Sequence, residues 1–304
     1  MKKFSFKSIV AIFMAVALFT VTSCGSQQNE DKEKKAEKKE LSVLYPNWAE
    51  GIAMTYLAKV AMEDKGYTVE VSPVEPGPSY ASIAKGDAEL FLDAWLPNTH
   101  GDYWKKHGED IVKLGVSYPD ATTGLAVPSY VIDMGIASIE DLNEHAEKFE
   151  SKIIGIGSGA GIHRNTERAI EEYELDFEQV TSSESAMMAS LKKATNSDDP
   201  IIITGWKPHN MFVDYDIQYL EDPKEIFPPD ECTIIARKGF AKDYPSLEKF
   251  FSNFKFSTEE LVSLMTSVDK KGEEEGATEW YKANKQMVDS WWPKEEKKEE
   301  EPEA

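Results

Sequence analysis

Three tryptophans stand in three separate segments: Tyr45-Pro46-Asn47-Trp48-Ala49-Glu50, Asp93-Ala94-Trp95-Leu96-Pro97-Asn98-Thr99-His100 and Thr204-Gly205-Trp206-Lys207-Pro208-His209. Each follows an apolar, strand-like run and opens onto a turn. In open α/β sheets, ligands bind outside that carboxyl end of the strands. Three indoles converging there form a cage for a cation that cannot donate hydrogen bonds, such as a quaternary ammonium. The alternative is three unrelated core tryptophans. The company they keep argues for the cage, because the rest of each turn is also made of ligand-handling residues.

The loop Gly155-Ile156-Gly157-Ser158-Gly159-Ala160-Gly161-Ile162 joins a strand to a helix. Its first six residues match G-x-G-x-x-A, a weak signal alone. It does not open the first α/β unit, and no G-x-x-x-x-G-K-[ST] occurs. The physical reading is more general. Glycines let backbone N–H groups approach an anion at a helix N-terminus, where the dipole favours negative charge. A carboxylate suits such a place, and a plain tight turn is the alternative.

His100 shares a turn with Trp95 and can donate to an anionic group. His163 and His209 adjoin the other two segments, which raises a metal reading. No H-E-x-x-H or H-x-H spacing occurs, and no acidic residue joins these histidines at ligand spacing, so no metal and no cofactor are expected. No G-x-S-x-G elbow is present either, so nothing selects for a hydrolase. Trp104, Trp280, Trp291 and Trp292 read as packing residues.

The elements that must position these residues follow a βαβαβ rhythm, which predicts parallel strands with helices on the sheet faces. Leu41–Tyr45 reads as a strand, Glu50–Lys65 as a helix stopped by Gly66, Tyr67–Val74 as a strand, Ser79–Lys85 as a short helix and Ala88–Asp93 as a strand. The pattern restarts at Ser138, a helix cap with Glu140 and Asp141 in the first turn. Ile153–Gly157 and Pro200–Thr204 then read as strands, and Ile162–Tyr173 and Glu184–Lys193 as helices. Two α/β units predict two lobes: 41–126 with 231–293, and 127–230. Thr123–Val127 and Thr233–Arg237 are the expected crossover strands, and the helical remainder is expected to return to the first lobe.

At the start, Met1-Lys2-Lys3 and an apolar run from Ile9 to Val21 read as a secretory signal over residues 1–23. The run is 13 residues, short for a membrane span. The small residues before Cys24 resemble a bacterial lipobox, which makes Cys24 the expected lipidated residue. Residues 24–40 read as a solvated tether and 294–304 as a disordered charged tail. The formal net charge is −21 with no basic patch, so nucleic acid is not an expected partner. Cys232, in a strand-like run, reads as a small buried hydrophobe.

Taken together, Asp93–His100, Gly159-Ala160-Gly161-Ile162 and Pro200–His209 resemble the substrate-binding proteins of ABC importers for glycine betaine and related compatible solutes. The helix from Glu50 and the Arg237-Lys238-Gly239-Phe240 turn fit the same family, and the likeness covers nearly all of residues 41–292. It implies a two-lobed, type II periplasmic-binding-protein-like α/β fold. It also implies a cage of Trp48, Trp95 and Trp206 around a trimethylammonium group. The ligand's carboxylate would meet the backbone of Gly161 and Ile162 and the His100 side chain. The implied partners are glycine betaine, an ABC permease and ATPase, and the membrane through the lipid anchor. The implied protein is a monomer on the outer face of the cell membrane or in the periplasm, and not an enzyme. Choline, carnitine, proline betaine or a sulfonium analogue are alternative ligands. A cell-surface enzyme acting on trimethylammonium compounds, or a chemosensory or structural lipoprotein, are alternatives of other classes.

Overall fold

The computed structural model describes residues 37–294. The first half runs β1 (Glu40–Tyr45), α1 (Ala49–Asp64), β2 (Thr68–Pro73), α2 (Pro76–Lys85), β3 (Leu90–Leu96), α3 (Gly101–His107) and β4 (Ile111–Pro128). The second continues with α4 (Ser129–Asp133), β5 (Lys152–Gly155), α5 (Gly161–Glu172), β6 (Glu178–Thr181), α6 (Glu184–Ser197), β7 (Ile203–Lys207), α7 (Met211–Asp214) and β8 (Ile217–Tyr219). The chain then returns through β9 (Asp230–Arg237) to α8 (Phe240–Asp243), α9 (Pro245–Asn253), α10 (Thr258–Lys271), α11 (Glu273–Ala283) and α12 (Lys285–Trp291).

The strand order is β2-β1-β3-β9-β4-β7-β5-β6, with β8 also on β4. The pairs β1–β2, β1–β3, β5–β6 and β5–β7 are parallel, as the βαβ rhythm requires. The pairs made by β9, and those of β4 with β7 and β8, are antiparallel. β4 is 18 residues long and serves both halves. Over 111–121 it pairs with β9, and over 122–128 with β7 and β8. The sheet therefore divides into two half-sheets that share one continuous strand.

Two expectations are refined. Thr123–Val127 does lie on a crossing strand. Thr233–Arg237 does not cross: it belongs to β9, wholly within the first half-sheet between β3 and β4. The return crossing comes earlier, between β8 and β9. The tether also ends sooner than residue 40. Glu40 is registered against Thr68 in the β1–β2 pair. The Lys38 backbone N–H donates to the Asp243 carbonyl at 3.1 Å, its ammonium to the Asp243 carboxylate at 2.9 Å, and the Ser246 N–H donates to Glu37 at 3.0 Å. The expected signal, Cys24 and the tail at 295–304 lie outside the described residues.

Local chemistry explains the elements nearest the site. β3 reads Leu-Phe-Leu-Asp-Ala-Trp-Leu and every residue is buried, as befits a strand covered on both faces. A register shift against β9 between Phe91 and Ala94 marks a β-bulge, a device that re-aims side chains. Ser138 caps its segment as expected and forms a capping box with Asp141, but Ile139–Phe149 winds as a 3-10 helix. The helices after β9 return to the first half, where α10 and α11 pack on α1. Trp291 joins Phe250, Phe254 and Phe256 in an aromatic cluster there.

Candidate ligand-binding site

The three tryptophan turns meet. Trp48 caps α1, Trp95 ends β3 and Trp206 ends β7, and all three indoles line one cavity between the halves. They are 9 %, 2 % and 3 % exposed. The cavity is small, about 20 Å³, and partly open to solvent.

The N-terminus of α5 also lines the cavity, with Ala160, Gly161 and Ile162 on its wall. The first N–H groups of a helix have no partner within it, and the dipole makes that end positive. No acidic side chain occupies the first turn of α5 to neutralise it. Glycine is required at 161 by space. A Cβ there would lie 2.1 Å from the Thr99 carbonyl oxygen and 2.4 Å from its Cγ2. Gly161 is thus a point where the second half touches the first.

His100 is fully buried and stands just outside the cavity wall, one residue beyond Thr99, which lines it. Its ring lies among Trp48, Tyr80 and Tyr103, with centroids 6.1, 5.9 and 5.9 Å away. The Trp95 backbone N–H donates to His100 Nδ1 at 3.0 Å. An Nδ1 that accepts leaves the proton on Nε2. Burial, with the nearby Arg164 charge, lowers the ring's pKa to about 3, so the imidazole is neutral. Among the described residues its Nε2 has no hydrogen-bond partner, and neither do Thr99 Oγ1 and Thr123 Oγ1, both on cavity residues. Buried polar groups are normally paired. Unpaired buried groups of this kind can be met by a polar ligand or by ordered water.

The other two histidines adjoin the site without lining it. His163 pairs with Gln179 on β6. His209 accepts the Met211 N–H on Nδ1 at 2.9 Å, meets Glu184 through Nε2 at 2.9 Å, and sets its ring edge-on to Trp206. Among the described residues, no cluster of three His, Cys, Asp or Glu side chains is arranged to hold a metal.

Several site residues escaped the sequence reading. Glu50 is fully buried, lines the cavity, and accepts the Trp206 indole N–H at 3.0 Å. Asp93 accepts the Trp95 indole N–H at 2.9 Å. A carboxylate inside the apolar run of β3 was the available signal for Asp93. Glu50 gave none, since acidic residues in a first helical turn are ordinarily exposed dipole partners. Further bonds cross the cleft. Arg164 on α5 donates to the Thr99 carbonyl at 3.2 Å and to the Tyr103 hydroxyl at 3.0 Å. The Tyr103 hydroxyl donates to the Gly159 carbonyl at 2.9 Å, and the Ala49 N–H donates to Glu184 at 3.0 Å.

Residues 39–283 match the family model described as the substrate-binding domain of ABC-type glycine betaine transport systems, OpuAC. The chain belongs to the OpuAC family. Among solved OpuAC-like structures, it resembles the glycine betaine/L-proline-binding protein ProX of Borrelia burgdorferi, with a TM-score of 0.80 and 34 % identity over 84 % of this chain and 97 % of that one. Lactococcal OpuAC, in a closed conformation with glycine betaine, gives 0.79 and 34 % over 84 % and 100 %. The glycine betaine/carnitine transport binding protein GbuC of Listeria monocytogenes is 37 % identical over 161 residues, 51 % of this chain and 54 % of GbuC. That alignment spans about half the length of the curated relative. These likenesses carry the two-lobed, type II binding-protein architecture expected for an OpuAC domain.

Proposed function

We propose that this protein is the solute-binding component of an ABC importer and that it captures glycine betaine. The trimethylammonium end would sit between Trp48, Trp95 and Trp206. The carboxylate would meet the backbone N–H groups of Gly161 and Ile162, with His100 Nε2 as a further donor. The observation that carries this reading is the pairing, in one small cavity, of three aromatic faces with a helix N-terminus whose own first turn holds no acidic side chain. A cation without N–H groups is held by aromatic faces through charge and shape, at roughly 1–2 kcal/mol per desolvated contact. Three such contacts with carboxylate hydrogen bonds suit a micromolar ligand, about −8 kcal/mol.

In this reading the lobes are residues 41–126 with 231–293, and residues 127–230. They hinge on β4 and on the segment before β9. The cavity has walls from both, so ligand binding favours the closed form by its differential affinity for that form. The protein performs no chemistry. It delivers its cargo to a permease and ATPase from the outer face of the membrane, with Cys24 as the lipid anchor. Among the described residues no helix is long and apolar enough to cross a membrane. Carnitine is the second reading, supported by GbuC.

The deciding experiment is calorimetric titration of the purified protein with glycine betaine, carnitine, proline betaine and choline. Tight betaine binding with weak choline binding is expected. Choline lacks the carboxylate, so a preference for it would overturn the role of the α5 end.

A further inference from the structure

Two buried carboxylates stand behind the indoles. Glu50 Oε2 accepts from Trp206 Nε1, and Asp93 Oδ1 accepts from Trp95 Nε1. Among the described residues Glu50 Oε1 has no hydrogen-bond partner and Asp93 Oδ2 has no N–H or O–H partner, although the Cys232 thiol lies within hydrogen-bonding reach of the Asp93 carboxyl. Neither carboxylate is paired with a lysine or arginine among the described residues. The groups that face Glu50 are Asp93 from β3, Glu184 from α6 and the Trp206 indole from β7, with its own backbone N–H. Asp93 faces the Trp95 indole, the Cys232 thiol on β9 and, through space, Glu184. His209 bonds to Glu184 rather than to either member of the pair.

The fixed charges that bear on this pair are therefore carboxylates, and the indole N–H groups only partly offset them. Burial first, then the charges of Asp93 and Glu184, holds the Glu50 carboxyl well above the usual range. Burial chiefly raises Asp93 to about 7. Near neutral pH the pair holds a proton in the absence of a compensating cation. Glu50 lines the cavity that the indoles enclose.

We propose that Glu50 and Asp93 together are the counter-ion of the ligand's cationic end, and that the pair surrenders a proton as the cation enters. The proposal rests on the cation-in-cage reading above. The carboxyl O–H bond breaks, the proton passes to solvent buffer, and no other covalent bond changes. A permanent positive charge brought against a carboxyl in a low-dielectric site favours its ionised form. The cage then reads charge as well as shape. An uncharged tert-butyl group has nearly the shape of trimethylammonium but gives the pair no reason to ionise.

Titration calorimetry of glycine betaine into the purified protein, near pH 6.5 and in buffers of different ionisation enthalpy, reads this directly. The expected result is release of up to about one proton per ligand, with affinity rising by up to about tenfold per pH unit between pH 5 and 7. Glu50→Gln should abolish the release and Asp93→Asn should reduce it. The isostere 3,3-dimethylbutanoate, which keeps the carboxylate but has an uncharged tert-butyl end, should bind at least tenfold more weakly and release no proton. If Glu50→Gln does not fold, the wild-type buffer series and Asp93→Asn still decide. Betaine binding with the same heat in every buffer would overturn the proposal and leave the cage reading standing. Release that persists in Glu50→Gln and disappears in His209→Gln would overturn it by moving the proton to His209. No betaine binding at all would overturn both readings.

Discussion

Gly161 sits against Thr99 so closely that a single methyl group on it would overlap the Thr99 carbonyl oxygen, at 2.1 Å. Thr99, in the turn after β3, and Gly161, the first residue of α5, belong to different halves, and both line the cavity. Backbone cannot yield as a flexible side-chain tip can, so Gly161→Ala should act as a wedge in the cleft. We expect betaine affinity to fall at least tenfold, with the melting temperature of the ligand-free protein nearly unchanged. Equal affinity in calorimetry would show that the halves do not need this approach.

Each cage indole is tested by truncation. Trp95→Ala and Trp206→Ala should each weaken glycine betaine binding at least tenfold, about 1.4 kcal/mol or more. Trp→Phe at the same positions should cost less, because an aromatic face remains. A loss no larger in the Ala variants than in the Phe variants would count against the cage.

His100 tests the anionic end. His100→Ala should weaken betaine and carnitine more than choline. With its pKa lowered to about 3, the ring stays neutral throughout pH 5–8 and gives no pH dependence there. Equal losses for choline and betaine would remove His100 from carboxylate recognition.

Asp93 makes a stability prediction with a definite sign. Its pKa is raised from 3.8 to about 7, so the folded protein holds this proton more tightly than the unfolded chain does. The stability it contributes is present below about pH 4 and is lost as pH rises through 7. Without ligand, the melting temperature should fall between pH 5 and 8, and Asp93→Asn should flatten that fall. A profile identical in the variant would place the titration elsewhere.

Arg164 reaches across the cleft to Thr99 and Tyr103. Its side chain is 34 % exposed, so solvent screens part of its charge. Arg164→Ala should weaken binding several-fold, and small-angle scattering should show less compaction on adding betaine than in the parent protein. Full compaction in the variant would assign closure to the ligand alone.

The sequence made the three tryptophan turns legible because each indole stands at or just past a strand's carboxyl end, where backbone periodicity already locates the edge of a sheet. The α5 end was legible for the same reason, since glycines between a strand and a helix announce close approach. The buried carboxylates were not. Glu50 lies in the first turn of α1, where an acidic residue is ordinary, and only the arrival of Trp206 from the other half makes it a partner. Thr99, Thr123 and Arg164 were missed likewise, because their roles depend on contacts between segments distant in the chain. The return crossing was misplaced by a few residues because Thr233–Arg237 has a strand composition whichever half-sheet it joins, and pairing with β3 settles it.

The ownership of the indoles implies an order of events. Trp48, Trp95 and both carboxylates belong to the first half, while Trp206 comes from β7 of the second and is held by Glu50 of the first. With the halves apart, two aromatic walls and the acidic pair remain together, and the third wall has lost its anchor. A cation is therefore expected to land on the first half, and the second to close over it. Changes at Trp48 or Trp95 should then fall on the association rate as well as on residence time. Changes at Trp206 should fall almost wholly on residence time, giving the two halves separate kinetic duties in one capture.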